Sequence, residues 1–143
     1  HKGAVVEVEE NLPDVMGSYA ILSQVVGNLL SNALKFTRPD EPPRVRIWHE
    51  EREGFVRLYF EDNGIGIPGE HTERIFRVFE RLHGVEQYPG TGIGLAIVKK
   101  GVERMGGRVG VESEVGKGSI FWADLVKYDA EKGAVKEGTG EPR

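Results

Sequence analysis

Cysteine is absent from the sequence. That excludes a disulfide framework and a thiol nucleophile. No excess of basic residues exists either: 19 Lys and Arg stand against 23 Asp and Glu, a net charge of −4. The electrostatic footprint of a nucleic-acid-binding surface is therefore missing, and no nucleic acid partner is expected. No apolar run approaches the roughly 18 residues that a membrane helix needs, so no membrane contact is expected of this domain. The chain starts His1-Lys2-Gly3 without a signal-peptide pattern or an initiator methionine. It reads as a cytoplasmic piece excised from a longer protein that is either soluble or membrane-anchored. No internal repeat is visible, and 143 residues suit one domain with a real core.

Glycine, by contrast, is abundant: 20 residues, about twice the ordinary share. Thirteen of them fall between positions 64 and 118, so the excess is regional and asks for a site. Its densest part is "PGTGIGLAI", where Gly90, Gly92 and Gly94 run directly into a helical pattern of Leu95, Ile97, Val98 and Val102. A helix N-terminus carries unsatisfied N–H groups and the positive end of a dipole, and glycines let a bulky anion come close. The stretch reads as a phosphate site.

Around it the sequence predicts a strand over 4–9, a helix from the Ser18 cap to about Phe36, and a hairpin of 44–50 with 55–61. A short helix over 70–77, the glycine-led helix ending at Gly106-Gly107, and a second hairpin around "VGKG" complete it. The interleaving with late hairpins predicts a two-layer α/β sandwich, a mixed, mostly antiparallel sheet with helices on one face. Residues 1–127 form the domain, and 128–143, poor in large apolar residues, read as a flexible tail.

Two further stretches carry chemistry. On the first helix Asn28 and Asn32 share one face, with Lys35 following, opposite the apolar stripe. They form either a solvated face looking out from the core, or a place where an amide oxygen meets Mg²⁺ and a lysine meets phosphate. In "FEDNGIGIP", residues 60–68, a strand runs into Asp62, then Gly64 and Gly66. This is either an ordinary turn, or a fixed carboxylate that accepts a hydrogen bond from an exocyclic amine, with space left for a flat base.

The ordered set "NLLSNALKF", "DNGIGIP", "IFRVFERLH", "PGTGIGLAI" and "GKGS" resembles the catalytic, ATP-binding domain of sensor histidine kinases, within the GHKL superfamily. The local wording around "FERLH" and "YPGTGIGLAI" is most similar to kinases of the phytochrome type. The resemblance covers about residues 4–126 and implies the Bergerat α/β sandwich. It implies ATP and Mg²⁺ as ligands, with Asn32 holding the metal and Asn28 assisting at the phosphates. Lys35 would contact phosphate and Arg81 the γ-phosphate. Asp62 would bind the adenine amino group, with Gly64 and Gly66 shaping the pocket, Ile67 walling it and Ser119 near the base. Gly90, Thr91, Gly92 and Gly94 would form the phosphate-facing turn, and Leu95 would begin its supporting helix. Phe76 and Phe79 would anchor the base of a lid over 82–91, in which Tyr88 stacks or packs and His83 is a candidate phosphate contact. His1, His49 and His71 read as ordinary surface or strand residues. Gly101 interrupts the helix where the family has an apolar residue, at about 1 kcal/mol, unless it allows close packing against the sheet.

The implied reaction follows from an absence. ATP hydrolases and serine kinases of the superfamily carry Glu four residues before the metal-binding Asn; here that position is Asn28. An amide cannot serve as general base, whereas imidazole needs less activation than water. The resemblance therefore implies γ-phosphate transfer to a histidine on the protein's own dimerisation domain, within a homodimer, with a response regulator downstream. No acceptor-histidine motif lies in this chain. A superfamily ATPase and a non-catalytic nucleotide-binding module are the alternatives.

Overall fold

The computed structural model describes residues 3–77 and 92–129. Five strands form one sheet in the order β1-β2-β3-β5-β4. The strands are β1 (Val5–Val8), β2 (Arg44–Arg52), β3 (Phe55–Asp62), β4 (Arg108–Glu114) and β5 (Gly118–Val126). β1 pairs in parallel with β2, and every other pairing is antiparallel, so the sheet is mixed as the sequence predicts. Two helices, α1 (Tyr19–Lys35) and α2 (Gly92–Arg104), cover one face.

Alternation sorts the strand residues between the faces. Val45, Ile47, Val56, Phe60, Phe121, Ala123 and Leu125 point into the core, where they meet Val25, Leu29 and Ala33 of α1 and Leu95, Val98 and Val102 of α2. Among the described residues no helix covers the other face, which is closed by its own long side chains. Trp48 stacks on Tyr59 with ring centroids 4.9 Å apart, and the Arg46 guanidinium sits 4.8 Å above Trp48. Arg57 lies 3.6 Å above the Trp122 ring. Trp122 in turn covers Gly110, where a Cβ would come within 2.2 Å of the indole.

Ser18 caps α1, its hydroxyl accepting the Ile21 N–H at 3.3 Å. Two expectations need correction. Residues 70–77 form no α-helix: a 3₁₀ turn at Gly69–His71 continues as short-range turns, with Ile75 and Phe76 buried in the core. So few residues cannot repay helix nucleation, and packing sets their path instead. Gly101 packs against α1, not the sheet: a Cβ there would stand 3.0 Å from Val25 Cγ2 and 3.1 Å from Ile21 Cγ2. Among the described residues no helix is long and apolar enough to cross a membrane.

Candidate functional site

Between the C-terminal half of α1, the N-terminus of α2 and one end of the sheet, three backbone segments are sewn together. The Ile65 N–H donates to the Phe36 carbonyl at 3.0 Å, and the Gly116 N–H donates to the Ile65 carbonyl at 2.8 Å. Arg38 adds a tie from its guanidinium to the Gly116 carbonyl at 2.7 Å. The chain after α1, the loop after β3 and the β4–β5 turn thus hold one another in place. The approach is so close that side chains are excluded. A Cβ on Gly64 would lie 1.9 Å from the Phe36 carbonyl oxygen, and one on Gly66 (φ +79°) 2.1 Å from that of Glu114. One on Gly118 would lie 2.1 Å from the Asp62 carbonyl oxygen. Gly64 and Gly66 therefore shape the site by letting backbones touch.

Asp62 ends β3 on the core-facing side and is buried. Its Oδ1 accepts the Gly64 N–H at 2.9 Å and the Ser119 N–H at 3.3 Å. Burial pushes its carboxyl up to about 6, against the pull of those two N–H groups, and Glu61 adds a small push the same way. Among the described residues no cation pairs with it. Across the sheet the register continues the row: Val45, Asp62, Ser119, Ser113. Ser113 Oγ lies 2.6 Å from Ser119 Oγ, accepts the Ile67 N–H at 2.7 Å and donates to the Gly118 carbonyl at 3.0 Å. Ile67 is buried beside this row. Ser113 escaped the sequence reading because only cross-strand register brings it beside Ser119.

On α1 the structure corrects the picture of a face looking outward. Asn32 is buried, at the margin of the stripe that includes Leu29 and Ala33, and its Oδ1 has no hydrogen-bond partner among the described residues. A buried amide oxygen without a partner is costly and needs an explanation. Asn28, one turn earlier, faces the start of α2: a Cβ on Gly94 would stand 3.5 Å from Asn28 Oδ1. Lys35 is the last residue of α1 and is exposed. Gly92 is the first residue of α2, and Leu95, buried at 2% exposure, anchors that helix in the core. Arg81, Gly90, Thr91, Phe79, His83 and Tyr88 lie outside the described residues, as does His1. Phe76 packs edge-on against Phe121 with centroids 6.1 Å apart, as expected of an anchor. His49 has a partner the sequence did not show: its Nδ1 lies 2.6 Å from Glu9 Oε1.

The structure thus sets Asn28, one turn from Asn32, against Gly94 of α2, and gathers Asp62, Ile67 and Ser119 around Ser113 at one end of the sheet. Among the described residues no group of three or more His, Cys, Asp or Glu could hold a metal alone. The orphaned Asn32 oxygen fits a different arrangement, a hard cation that brings its other oxygen ligands with it.

Comparison with known proteins agrees with this fold. The family model described as "Histidine kinase-, DNA gyrase B-, and HSP90-like ATPase" matches residues 17–129. The phytochrome-like protein Cph1 of Synechocystis sp. is 43% identical over 123 residues, which are 86% of this chain and 16% of that protein. The sensor histidine kinase AruS of Pseudomonas aeruginosa is 48% identical over 114 residues, 76% of this chain and 11% of that protein. The chain therefore spans less than a fifth of these relatives. Full-length ShkA, solved in complex with AMPPNP, superposes with a TM-score of 0.69 at 32% identity, over 87% of this chain and 26% of that one. Its α/β sandwich is the fold described above. With the motif order, the sewn glycine loops and a match across residues 17–129, the chain belongs to the histidine kinase-, DNA gyrase B- and HSP90-like ATPase family.

Proposed function

We propose that this chain binds Mg-ATP and passes the γ-phosphate to a histidine on a separate dimerisation domain, as the catalytic module of a two-component sensor kinase. Residues 1–127 are the catalytic domain and 128–143 a tail. The parent protein works as a homodimer on the cytoplasmic side and hands the phosphate to a response regulator. The observation that carries the reading is Asp62: a carboxylate buried at 7% exposure, with no cation beside it among the described residues, in a chain that superposes on a protein solved in complex with AMPPNP. Such a group costs stability, and it repays that cost only by accepting a hydrogen bond from a ligand.

In this reading Asp62 takes the adenine amino group, and Ile67 and the glycine contacts set the width of the slot. Asn32 Oδ1 holds Mg²⁺, which when bound neutralises charge on the phosphate oxygens. Asn28 and Lys35 sit along the phosphates, Gly92 and Gly94 offer N–H groups at the start of α2, and Gly90 and Thr91, outside the described residues, are assigned to the same phosphate-facing turn. Arg81 reaches the γ-phosphate. The acceptor imidazole nitrogen forms a bond to the γ-phosphorus as the bond to the bridging oxygen breaks. ADP leaves with that electron pair, and the imidazole proton goes to a base on the acceptor domain or to water. With Asn28 where a carboxylate would activate water, hydrolysis is disfavoured. The chain acts by positioning and charge stabilisation.

The test is a timed phosphorylation of an isolated dimerisation domain, beside phosphate release by this chain alone. Transfer to the acceptor with slow phosphate release is expected. Asn32→Ala should remove the Mg²⁺ dependence of ATP binding, and Arg81→Ala should reduce transfer more than nucleotide affinity. Rapid phosphate release without an acceptor would put the hydrolase class first.

A further inference from the structure

Four N–H donors around the Asp62 carboxylate are already committed. Gly64 and Ser119 give theirs to Asp62 Oδ1. Ile65 gives its own to the Phe36 carbonyl, and Ile67 to Ser113 Oγ. The two hydroxyls remain. A serine has one hydroxyl hydrogen. Ser113 spends it on the Gly118 carbonyl, which can only accept. Both contacts of Ser113 are hydrogen bonds only when the hydrogen at the 2.6 Å contact comes from Ser119. In that arrangement Ser113 Oγ holds one donated bond and two accepted ones, from Ile67 and from Ser119, and its capacity is full. Ser119 then has no hydrogen left to offer, and toward a bound base its oxygen can only accept.

We infer that Ser113 is a specificity-positioning residue of the nucleotide site: by taking the Ser119 hydrogen it keeps the Asp62–Ser119 edge free of donors, so that the site accepts a 6-aminopurine and refuses a 6-oxopurine. The inference rests on the nucleotide reading proposed above and adds the reason for its base selectivity. An exocyclic amine finds an acceptor at this edge. A 6-oxo oxygen in the same place meets a carboxylate and a hydroxyl turned the wrong way, with no donor to pair with, and buried acceptors facing each other are strongly disfavoured. Without Ser113 the Ser119 hydroxyl is free to turn, and its hydrogen can reach a 6-oxo group. Ser113 touches no ligand in this scheme; it acts through Ser119 and through Ile67, whose N–H it fixes.

The experiment measures dissociation constants of ATP and of inosine triphosphate, which differ at the 6-position and its neighbouring ring nitrogen. Calorimetry is run on the full chain and on Ser113→Ala, Ser113→Thr and Ser113→Ala/Ser119→Ala, with thermal melts to confirm folding. The wild-type chain should prefer ATP. Ser113→Ala should narrow that preference about tenfold, the worth of one hydrogen bond. Ser113→Thr, which keeps the hydroxyl, should retain the wild-type preference. The double variant should regain it, because the hydroxyl that could turn is gone. If Ser113→Ala does not fold, Ser113→Cys, close in shape but a poor donor and acceptor, carries the same comparison. An ATP-to-inosine-triphosphate ratio in the Ser113 variant equal to wild type overturns the inference, even if both affinities fall together. So does a double variant that stays as relaxed as the single, since that would mark a merely loosened pocket. In either case tight ATP binding by the wild-type chain leaves the nucleotide reading standing, whereas a wild-type chain that binds neither nucleotide defeats both.

Discussion

Asp62 and Asp124 sit on neighbouring strands, on opposite faces of the sheet, and both are buried, at 7% and 2% exposure. Their surroundings drive them apart. Asp62 has two backbone N–H groups and, among the described residues, no cation, and burial raises its carboxyl to about 6. Burial also pushes Asp124 up, but Arg57 outweighs it with hydrogen bonds at 2.6 and 2.9 Å and with its charge. Arg108 helps from 3.5 Å, and the Asp124 carboxyl ends below its ordinary value. One acid is compensated within the fold and so serves the fold. The other has no cation among the described residues to compensate it, which is the basis of the binding role proposed for it. The contrast also explains why the outer face needs no helix. Arg57 is clamped between Asp124 and the Trp122 ring and closes that face over the β-ladder.

The sharpest way to break the comparison is to neutralise each acid in turn and read stability at pH 7. Asp124→Asn should cost about 3 kcal/mol, because it leaves the Arg57 guanidinium, 12% exposed, beside an uncharged partner. Asp62→Asn should do the reverse. The amide oxygen can keep both N–H bonds while the buried charge disappears, and the distance from 3.8 to about 6 corresponds to a gain of up to about 3 kcal/mol. Denaturant melts of both variants decide it; a destabilised Asp62→Asn would mean that its charge has a partner in the fold after all. Nucleotide affinity should split the other way. Asp62→Asn loses roughly 1.5–3 kcal/mol of ATP binding, and folded Asp124→Asn loses none.

Only half of this contrast was legible in the sequence. Asp62 announces itself because its neighbours are local: a strand, an Asp and two glycines within five positions. The two hairpins and the glycine-led helix follow from equally local signals. Asp124 lies 67 positions from Arg57, and nothing in "FWADLV" marks it. Ser113 and Ser119 are near in sequence, yet their bond depends on the β4–β5 register. Asn32 was misread for a related reason. Its spacing from Asn28 is right for a shared face, but how far the buried stripe reaches around α1 is decided by where α2 and the sheet stand. Gly101 shows the same limit. Its role is to admit Val25 and Ile21, residues about eighty positions away.

A smaller effect appears when pH is varied instead of sequence. The folded-state value of Asp62 is raised, so its share of stability is full below pH 3.8 and is lost as pH rises through about 6. Asp124 is lowered, so its share is present above the ordinary carboxylate range and is lost as pH falls through its folded value. The stability difference between Asp62→Asn and wild type should therefore grow from pH 4 to pH 7 and then level off. The penalty of Asp124→Asn should shrink only in stronger acid. ATP affinity should decline as pH falls through about 6, because a protonated Asp62 no longer offers a full acceptor. A flat affinity between pH 5 and 7 would separate Asp62 from base recognition.

The smallest expected effect concerns which cation compensates Asp124. Arg57 and Arg108 both approach it, but their situations differ. The Arg57 side chain is 12% exposed, bonds through two nitrogens and stacks on Trp122, whereas that of Arg108 is 77% exposed and reaches only Asp124 Oδ2, at 3.5 Å. An exposed single contact pays side-chain entropy and is screened by salt, so it contributes little. Arg108→Ala should lower stability by less than about 1 kcal/mol, and that small loss should fade as ionic strength rises. Arg57→Ala should approach the cost of Asp124→Asn and persist in salt, because it removes a planar, two-point bond and leaves the carboxylate buried. Melts of the two variants at low and high salt make the comparison. If Arg108→Ala proved as costly as Arg57→Ala, compensation of Asp124 would be a property of the whole charged face, and the contrast with Asp62 would rest on net charge instead of on one clamped pair.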